Sequence, residues 1–593
     1  MSRYKILPKL PVPALSDTLD RFLTAMKPLT TQTQHSQLIK STNSFSKREG
    51  VYLQNRLLTF AEETDNWASR VWVDTRYLSN RDSLLFTNGK TTLKTRLKWS
   101  THKEMLLAIS QHLFSMVRLM ETIRDERLPQ EMIGRVPQSM SQYIRLVGGY
   151  RVPKPKIDTQ VFSPHSKHII VMYAGRIYRM PVYNPADGNK SLSVEEMYQL
   201  LSQVMSSGSE ETQSHAPVSL LTALDRDSWS SAREQLIQDS SINASSLREI
   251  ETSLFGLCID ECTNGDDNEI PKMQRFGDIR ENFKFYNRWF GLGLLTVFTQ
   301  NGYKTWISDH ALLDGVVPYF FDTLPEPGIS FDDTKRINSS LNVEQIKWEL
   351  SQKSLLNLEN AEKQMINWYS DYDVCNVDVK SFGRDLIKNY GVYFHGFIQL
   401  AIQLAYYKLY NQLTASYQTV SMRSFREGRL EHPITVSEDM KTFVESMTTS
   451  SQSDRERWRL MLRATNTYKL LLSETSGGHV FVKHLQALRY LAEKENLSVD
   501  LFHNSHFELF IEPKLAISSV FTSVPFLGTI PLTNGHFIGY SSTPNHIILT
   551  LTTILSRTSV TSTQLCREIV SSLFEMKDIL TSQAHTALED SKL

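Results

Sequence analysis

The chain has 593 residues, 64 Lys+Arg against 64 Asp+Glu, 40% hydrophobic and 10% aromatic residues. A net charge of zero argues against bulk electrostatic binding of nucleic acid, and the apolar content excludes disorder, collagen and coiled coil. Single cores stop growing at roughly 250–300 residues, so the length predicts two domains.

The elements follow in chain order. Pro8, Pro11 and Pro13 punctuate the start, and the spacing of Leu15, Leu19, Phe22 and Leu23 then predicts a helix. Residues 51–125 carry long helical patterns. Between Tyr143 and Val182 the pattern turns strand-like, and HIIVMYAGRIYRMPVY predicts two strands joined at Ala174-Gly175. The Ser-rich stretch 206–215 predicts a surface loop. GLLTVFTQNGYKTWISDHALLDG predicts a hairpin turning at Asn301-Gly302, with its second strand ending at His310. Residues 390–415 are apolar on nearly all sides, which predicts a buried helix. Short strands are predicted over 505–555, and a helix near 563–580. This is an α/β (α+β) chain with a predicted boundary near residue 350, giving domains 1–350 and 351–593.

Four cysteines, Cys258, Cys262, Cys375 and Cys566, are too few for a disulfide framework and read as reduced structural thiols of a reducing compartment. No stretch reaches the roughly 18–20 apolar residues of a membrane span. The N-terminus does not read as a secretory signal. The terminal Ser591-Lys592-Leu593 reads as a peroxisomal address, which implies an import receptor as partner; cytoplasm is the alternative. No residues stand at metal-ligand spacing, so no metal or cofactor is expected.

His310 lies in DHALLDG, four residues before Asp314. A carboxylate at that spacing can hold an imidazole in one tautomer and stabilise its cation, which suits a general base. Three further blocks accompany it: LPKLPVPALSDTL (7–19), NRWF (287–290) and YQTVSMRSFREGR (417–429). On these ordered blocks the chain resembles the carnitine/choline acyltransferase family over nearly its whole length, nearest to its peroxisomal carnitine O-acetyl- and octanoyltransferases.

The resemblance implies two domains of similar chloramphenicol-acetyltransferase-like fold, mixed sheets covered by helices, with the active site in a tunnel between them. It implies His310 as the base that deprotonates the acceptor hydroxyl, or CoA in reverse, with no covalent acyl-enzyme. It implies acyl-CoA as a substrate rather than a cofactor, and a monomer. Asp314 matches the acidic residue of the family motif. Where the family has Ser-Thr-Ser, this chain has Ala516-Ile517-Ser518, so Ser518 takes the oxyanion role. A family loop with two lysines reads Phe382-Gly-Arg384-Asp-Leu-Ile-Lys388 here, which implies that Arg384 and Lys388 grip CoA phosphates. His395 stands where the family can touch adenine.

Carnitine enzymes hold the acceptor carboxylate with Tyr, Thr and Arg. Those positions read Tyr417, Leu430 and Lys483. Lys483 favours carnitine; Leu430 and the run 314–316 lean toward choline. The acyl-length gate is Val524-Pro525-Phe526-Leu527, and Leu527 joins the acceptor side of the site. The reading is an acetyl- to medium-chain carnitine O-acyltransferase. A choline O-acetyltransferase and a CoA-binding pseudoenzyme stay open. Gly291-Leu292 departs from the Asp-Lys that the family places after Arg-Trp-Phe.

Overall fold

The computed structural model describes all residues except 1–3, 88–90, 93–98, 100, 209–215, 262–268, 280–282, 284–285, 316, 318–340, 450–451, 521–525, 529–533 and 591–593. The chain divides into two compact units, each discontinuous in sequence. One comprises Met1–Ile6, Val73–Tyr372 and Phe526–Thr529; the other comprises Leu7–Trp72, Asp373–Pro525 and Ile530–Leu593. The expected domains 1–350 and 351–593 differ from this chiefly at residues 7–72, which pack with the C-terminal half. The reason is buried polar and aromatic pairing at long sequence separation. Thr18 Oγ1 lies 2.7 Å from His484 Nδ1, and His484 Nε2 lies 2.8 Å from Gln54 Oε1. Phe22 meets Phe510 edge-on, and Phe45 meets Phe502.

The first unit holds a six-stranded mixed sheet. Its strands are β1 (His168–Tyr173), β2 (Arg176–Pro181), β3 (Gly256–Asp260), β4 (Leu294–Thr299), β5 (Lys304–Ser308) and β6 (Glu344–Gln345), in the order β5-β4-β3-β1-β2-β6. β1, β3 and β4 are parallel neighbours, and every residue of each is buried. Such unbroken apolar runs suit strands covered on both faces. Helix His102–Arg124 sends Met105, Ile109, Leu113 and Met116 into the same core as Ile169, Val171 and Ile259. The predicted turn joins β1 to β2: Ala174 has φ 50° and Gly175 φ 72°, the two left-handed residues of a tight hairpin. β4 and β5 form the second predicted hairpin, with Gly302 at φ 96°. β5 ends at Ser308, two residues before the expected end.

The second unit holds a five-stranded mixed sheet of β7 (Tyr372–Val379), β8 (Ser416–Gln418), β9 (Leu515–Val520), β10 (His536–Ser542) and β11 (Ile547–Ile554), in the order β7-β11-β10-β9-β8. β8, β9 and β10 run parallel, and β11 returns antiparallel. This repeats the first unit, where β1, β3 and β4 run parallel and β5 returns. The two halves therefore share one four-strand plan in the same chain order. The predicted apolar helix is Phe394–Tyr410, buried for most of its length, and it shares a core with the C-terminal helix Ser562–Asp590. Ser505–Ile511, inside the stretch expected to be strands, is a helix capped by Asn504.

Cys258, Cys375 and Cys566 are buried free thiols, and Cys375 hydrogen-bonds Cys566; Cys262 lies outside the described residues. No helix among the described residues is long and apolar enough to cross a membrane.

Candidate active site

In the first unit, His310 sits on a tight turn just past β5. Asp309 makes that turn: its backbone N–H donates to Gly293 O, and its Oδ1 accepts from the Ala311 N–H at 2.9 Å. The Asp309 side chain is fully buried, 3.8 Å from the Arg151 guanidinium. Arg151 also donates to Asp158 at 2.7 Å, and Asp158 further pairs with Arg226 and Arg81. A charge cluster this deep must be paired to be tolerated. It also reaches the site, because Arg151 Nη2 donates to the carbonyl of Tyr77.

His310 Nδ1 lies 3.4 Å from Asp314 Oδ1, as the i,i+4 spacing predicts. Gln142 then locks Asp314 from both sides. Its side-chain amide donates to Asp314 Oδ2 at 3.1 Å, and its carbonyl accepts the Asp314 backbone N–H at 2.6 Å. Tyr77 stacks on the imidazole at 5.2 Å between centroids, with its hydroxyl 3.1 Å from Nδ1. The ring is largely enclosed but not sealed, its side chain 12% exposed. A carboxylate beside Nδ1 favours the proton on that nitrogen, which makes Nε2 the basic one. Tyr77, Gln142 and Arg151 were not legible as site residues in the sequence, for they lie 159–233 positions before His310.

The NRWF block supports this site without joining it. Arg288 clamps Asp260 at the end of β3 through two bonds, 2.7 and 3.0 Å, and Asn287 donates to Ile259 O. Gly291 follows at φ 113°, a conformation L side chains rarely adopt, and its carbonyl accepts the Arg151 N–H. That explains glycine at this departure from the family pattern.

In the second unit, the residues expected at CoA come together. Gly383 precedes the short helix Arg384–Asn389 and packs so tightly on the turn at Asn545-His546 that a Cβ would meet His546 N at 2.4 Å. The charges of Lys388 and Arg384 both act on His395. Burial pushes its imidazole down to about 4, and these two cations push it the same way. His395 Nδ1 lies 2.8 Å from the Tyr540 hydroxyl.

Ser518 is buried in β9, its Oγ 3.2 Å from Thr419 Oγ1, and the neighbouring Ser519 Oγ accepts from Gln418 at 3.3 Å. The block 417–429 carries these partners and closes on itself at Gly428, where a Cβ would stand 1.9 Å from Met422 O.

The residues expected at the acceptor, in the same unit, also cluster. His432 lies against Trp72 at 4.6 Å between centroids, the rings tilted by 31°, and takes the Tyr417 ring edge-on at 4.8 Å. Lys483 is 2% exposed, with its ammonium 2.7 Å from the centre of the Trp72 ring. Glu431 is fully buried beside it; burial pushes its carboxyl up to about 7 despite the Lys483 charge. Leu430 pairs with Ser421 in the strand opposite. Trp72, Glu431 and His432 were missed in the sequence. The side chain of Leu527, together with Val524, Pro525 and Ser591–Leu593, lies outside the described residues.

Residues 10–571 match the family Choline/Carnitine o-acyltransferase, and the chain belongs to it. It is 26% identical to human carnitine O-acetyltransferase, covering 99% of this chain and 96% of that protein. It is also 26% identical to rat choline O-acetyltransferase, over 97% of this chain and 93% of that one. Among solved structures, a trichothecene 15-O-acetyltransferase from Fusarium sporotrichioides covers 87% of this chain and 94% of its own, at 10% identity and a TM-score of 0.40. The chain is an acyltransferase, and its family chemistry is reversible acyl transfer with CoA.

Proposed function

We propose that the protein moves acetyl to medium-chain acyl groups reversibly between CoA and the hydroxyl of carnitine. The observation that carries this is the His310–Asp314 dyad with Gln142 holding the carboxylate. His310 Nε2 takes the hydroxyl proton as the oxygen attacks the thioester carbonyl. CoA sulfur leaves and receives that proton from the imidazolium, so the enzyme returns to its starting state without a covalent intermediate. Asp314 stabilises the transient cation. Ser518 donates to the oxyanion, Arg384 and Lys388 hold phosphates, and His395 lies against the adenine. Lys483 and Tyr417 meet the carnitine carboxylate beside the apolar Leu430, and Leu527 lines the acyl side.

Choline is the second reading. It is favoured by Leu430 and by Glu431, which sets a buried carboxyl beside the Lys483 ammonium. The two acceptors separate in a thiol-release assay with acetyl-CoA or octanoyl-CoA. Turnover with carnitine and not choline supports the first reading; the reverse supports the second. CoA binding without turnover of either makes the chain a pseudoenzyme. His310→Ala should lower kcat by roughly 10²–10⁴, and an unchanged kcat overturns the mechanism.

We also propose that the terminal Ser-Lys-Leu directs the protein to peroxisomes through its import receptor. Deletion of 591–593 should leave a tagged protein in the cytosol; continued import refutes the assignment.

A further inference from the structure

Cys375 lies on β7 and Cys566 on the C-terminal helix Ser562–Asp590, both in the second unit, and no role assigned above uses either. The two thiols meet because of how that helix begins. Thr561 and Gln564 close a capping box: the Gln564 N–H donates to Thr561 Oγ1 at 3.1 Å, and the Thr561 N–H donates to Gln564 Oε1 at 2.9 Å. Ser562 then fastens this first turn to the start of β7. Its N–H donates to Asp373 Oδ2 at 2.6 Å and its hydroxyl to Asp373 O at 3.2 Å. From this clamp, four residues of helix rise about 6 Å and two residues of strand rise about 7 Å. The rises match, so Cys566, one turn beyond Ser562, comes level with Cys375, which shares a strand face with Asp373. The Cys566 S–H donates to the Cys375 sulfur.

We propose that Cys375 and Cys566 are an oxidative modification site, a dithiol that a hydroperoxide converts reversibly to an intramolecular disulfide. The Cys375 thiolate attacks the peroxide: an S–O bond forms and the O–O bond breaks. The leaving oxygen departs as hydroxide, takes up the proton that Cys375 gave off and becomes water. Cys375 is then a sulfenic acid. The Cys566 sulfur attacks it, the S–S bond forms and the S–O bond breaks. The sulfenic oxygen leaves as a second water with the Cys566 proton. Two thiols and one hydrogen peroxide become one disulfide and two waters; each sulfur gives up one electron and the peroxide takes both.

The surroundings assign the roles. The hydrogen bond from Cys566 holds the Cys375 thiol below its ordinary range against the effect of burial; the Thr563 hydroxyl and the Arg567 charge act with it, and the Asp373 carboxylate opposes them. A thiol lowered in this way beside the first turn of a helix carries the nucleophilic thiolate. The bond it donates, together with burial, pushes the Cys566 thiol the other way, so it keeps its proton until the sulfenic acid stands beside it. Cys375 is 6% exposed and Cys566 0%, which gives a small peroxide its approach to Cys375. Cys258 provides the contrast: burial pushes its thiol up to about 12, and it should stay reduced. The disulfide fastens β7 to a helix whose Phe574 already packs edge-on against Phe382, one residue before Gly383. The proposal depends on neither the acceptor nor the CoA assignments.

The test exposes the full-length protein to stepwise additions of hydrogen peroxide and maps its cysteines by mass spectrometry without reduction. The expected product is a peptide pair linked through Cys375 and Cys566, lighter by two hydrogens than the separate peptides, which dithiothreitol releases. Cys258 should remain open to alkylation after unfolding. In Cys566→Ser, Cys375 should stop at the sulfenic acid and take up dimedone; in Cys375→Ser, Cys566 should stay unlabelled. Dimedone on Cys566 in place of Cys375 overturns the assigned roles. If the serine variants do not fold, the wild-type map decides by itself. Oxidation of Cys375 to the sulfinic acid without a link, a link through Cys258, or two free thiols under excess peroxide overturns the proposal.

Discussion

Gln142 holds the carboxyl group of Asp314 through both ends of one amide, donating to Oδ2 at 3.1 Å and accepting the backbone N–H at 2.6 Å. The grip fixes which oxygen faces the His310 imidazole. Gln142→Leu keeps the approximate bulk and removes both bonds. Because the side chain touches neither substrate nor imidazole in this reading, its effect runs through Asp314. The expected outcome is a fall in kcat of about tenfold, which is the worth of roughly 1.4 kcal/mol, with KM for CoA unchanged. A purely structural role would lower melting temperature and leave kcat per folded molecule alone. Steady-state kinetics with active-site titration separates the two, and Gln142→Glu should not rescue, since it sets two carboxylates face to face.

Asp314→Asn tests the tautomer directly. The asparagine amide can donate to Nδ1 and so favour the proton on Nε2, which disables the base. A fall in kcat of roughly 10²–10⁴ is expected, comparable with His310→Ala. If Asp314→Asn costs less than twofold, the carboxylate does not orient the ring, and the Tyr77 hydroxyl at 3.1 Å becomes the partner that matters.

Arg384 and Lys388 both impose their charge on His395, so they share one field. Charge-assisted hydrogen bonds contribute about 1.5–3 kcal/mol each. Arg384→Ala with Lys388→Ala should therefore raise KM for acetyl-CoA by roughly 10²–10⁴-fold while kcat at saturation stays near wild type. The same pair should leave a truncated acetyl-pantetheine thioester unaffected, because it lacks the nucleotide phosphates. Equal losses on both thioesters would remove the phosphate assignment.

What the sequence made legible depended on range. Local signals held: Gly175 and Gly302 marked their turns, because the positive φ at those positions favours glycine. His310 and Asp314 were legible because i,i+4 spacing on a turn brings them together. Residues 7–72 were assigned to the wrong half because nothing local in LPKLPVPALSDTL says that Thr18 will meet His484. Glu431 was passed over for the same reason: beside Leu430 it looks like an ordinary solvated carboxylate, and only the fold buries it against Lys483. Ser505–Ile511 failed differently, since Phe507, Phe510 and Ile511 read equally well as strand residues, and Asn504 as a cap settled it.

His484 gives the stability of the second unit a pH dependence with a defined sign. Burial lowers its imidazole to about 3, well below the ordinary 6.5. The folded protein therefore binds a proton there less readily than the unfolded chain, and stability falls as pH drops below about 6.5. While the unfolded imidazole is protonated and the folded one is not, the loss is about 1.4 kcal/mol per pH unit. His395 and His536, each lowered to about 4 chiefly by burial, act in the same direction. Thermal melts of the wild type should lose several degrees between pH 7 and pH 5. His484→Gln should lower the melting temperature at pH 7, because Thr18 and Gln54 lose a fitted partner, yet it should lower it less at pH 5. The two curves should converge as the buffer is acidified. Parallel curves would mean that His484 binds its proton equally well in the folded and unfolded chain, contrary to its buried, neutral contacts with Thr18 and Gln54.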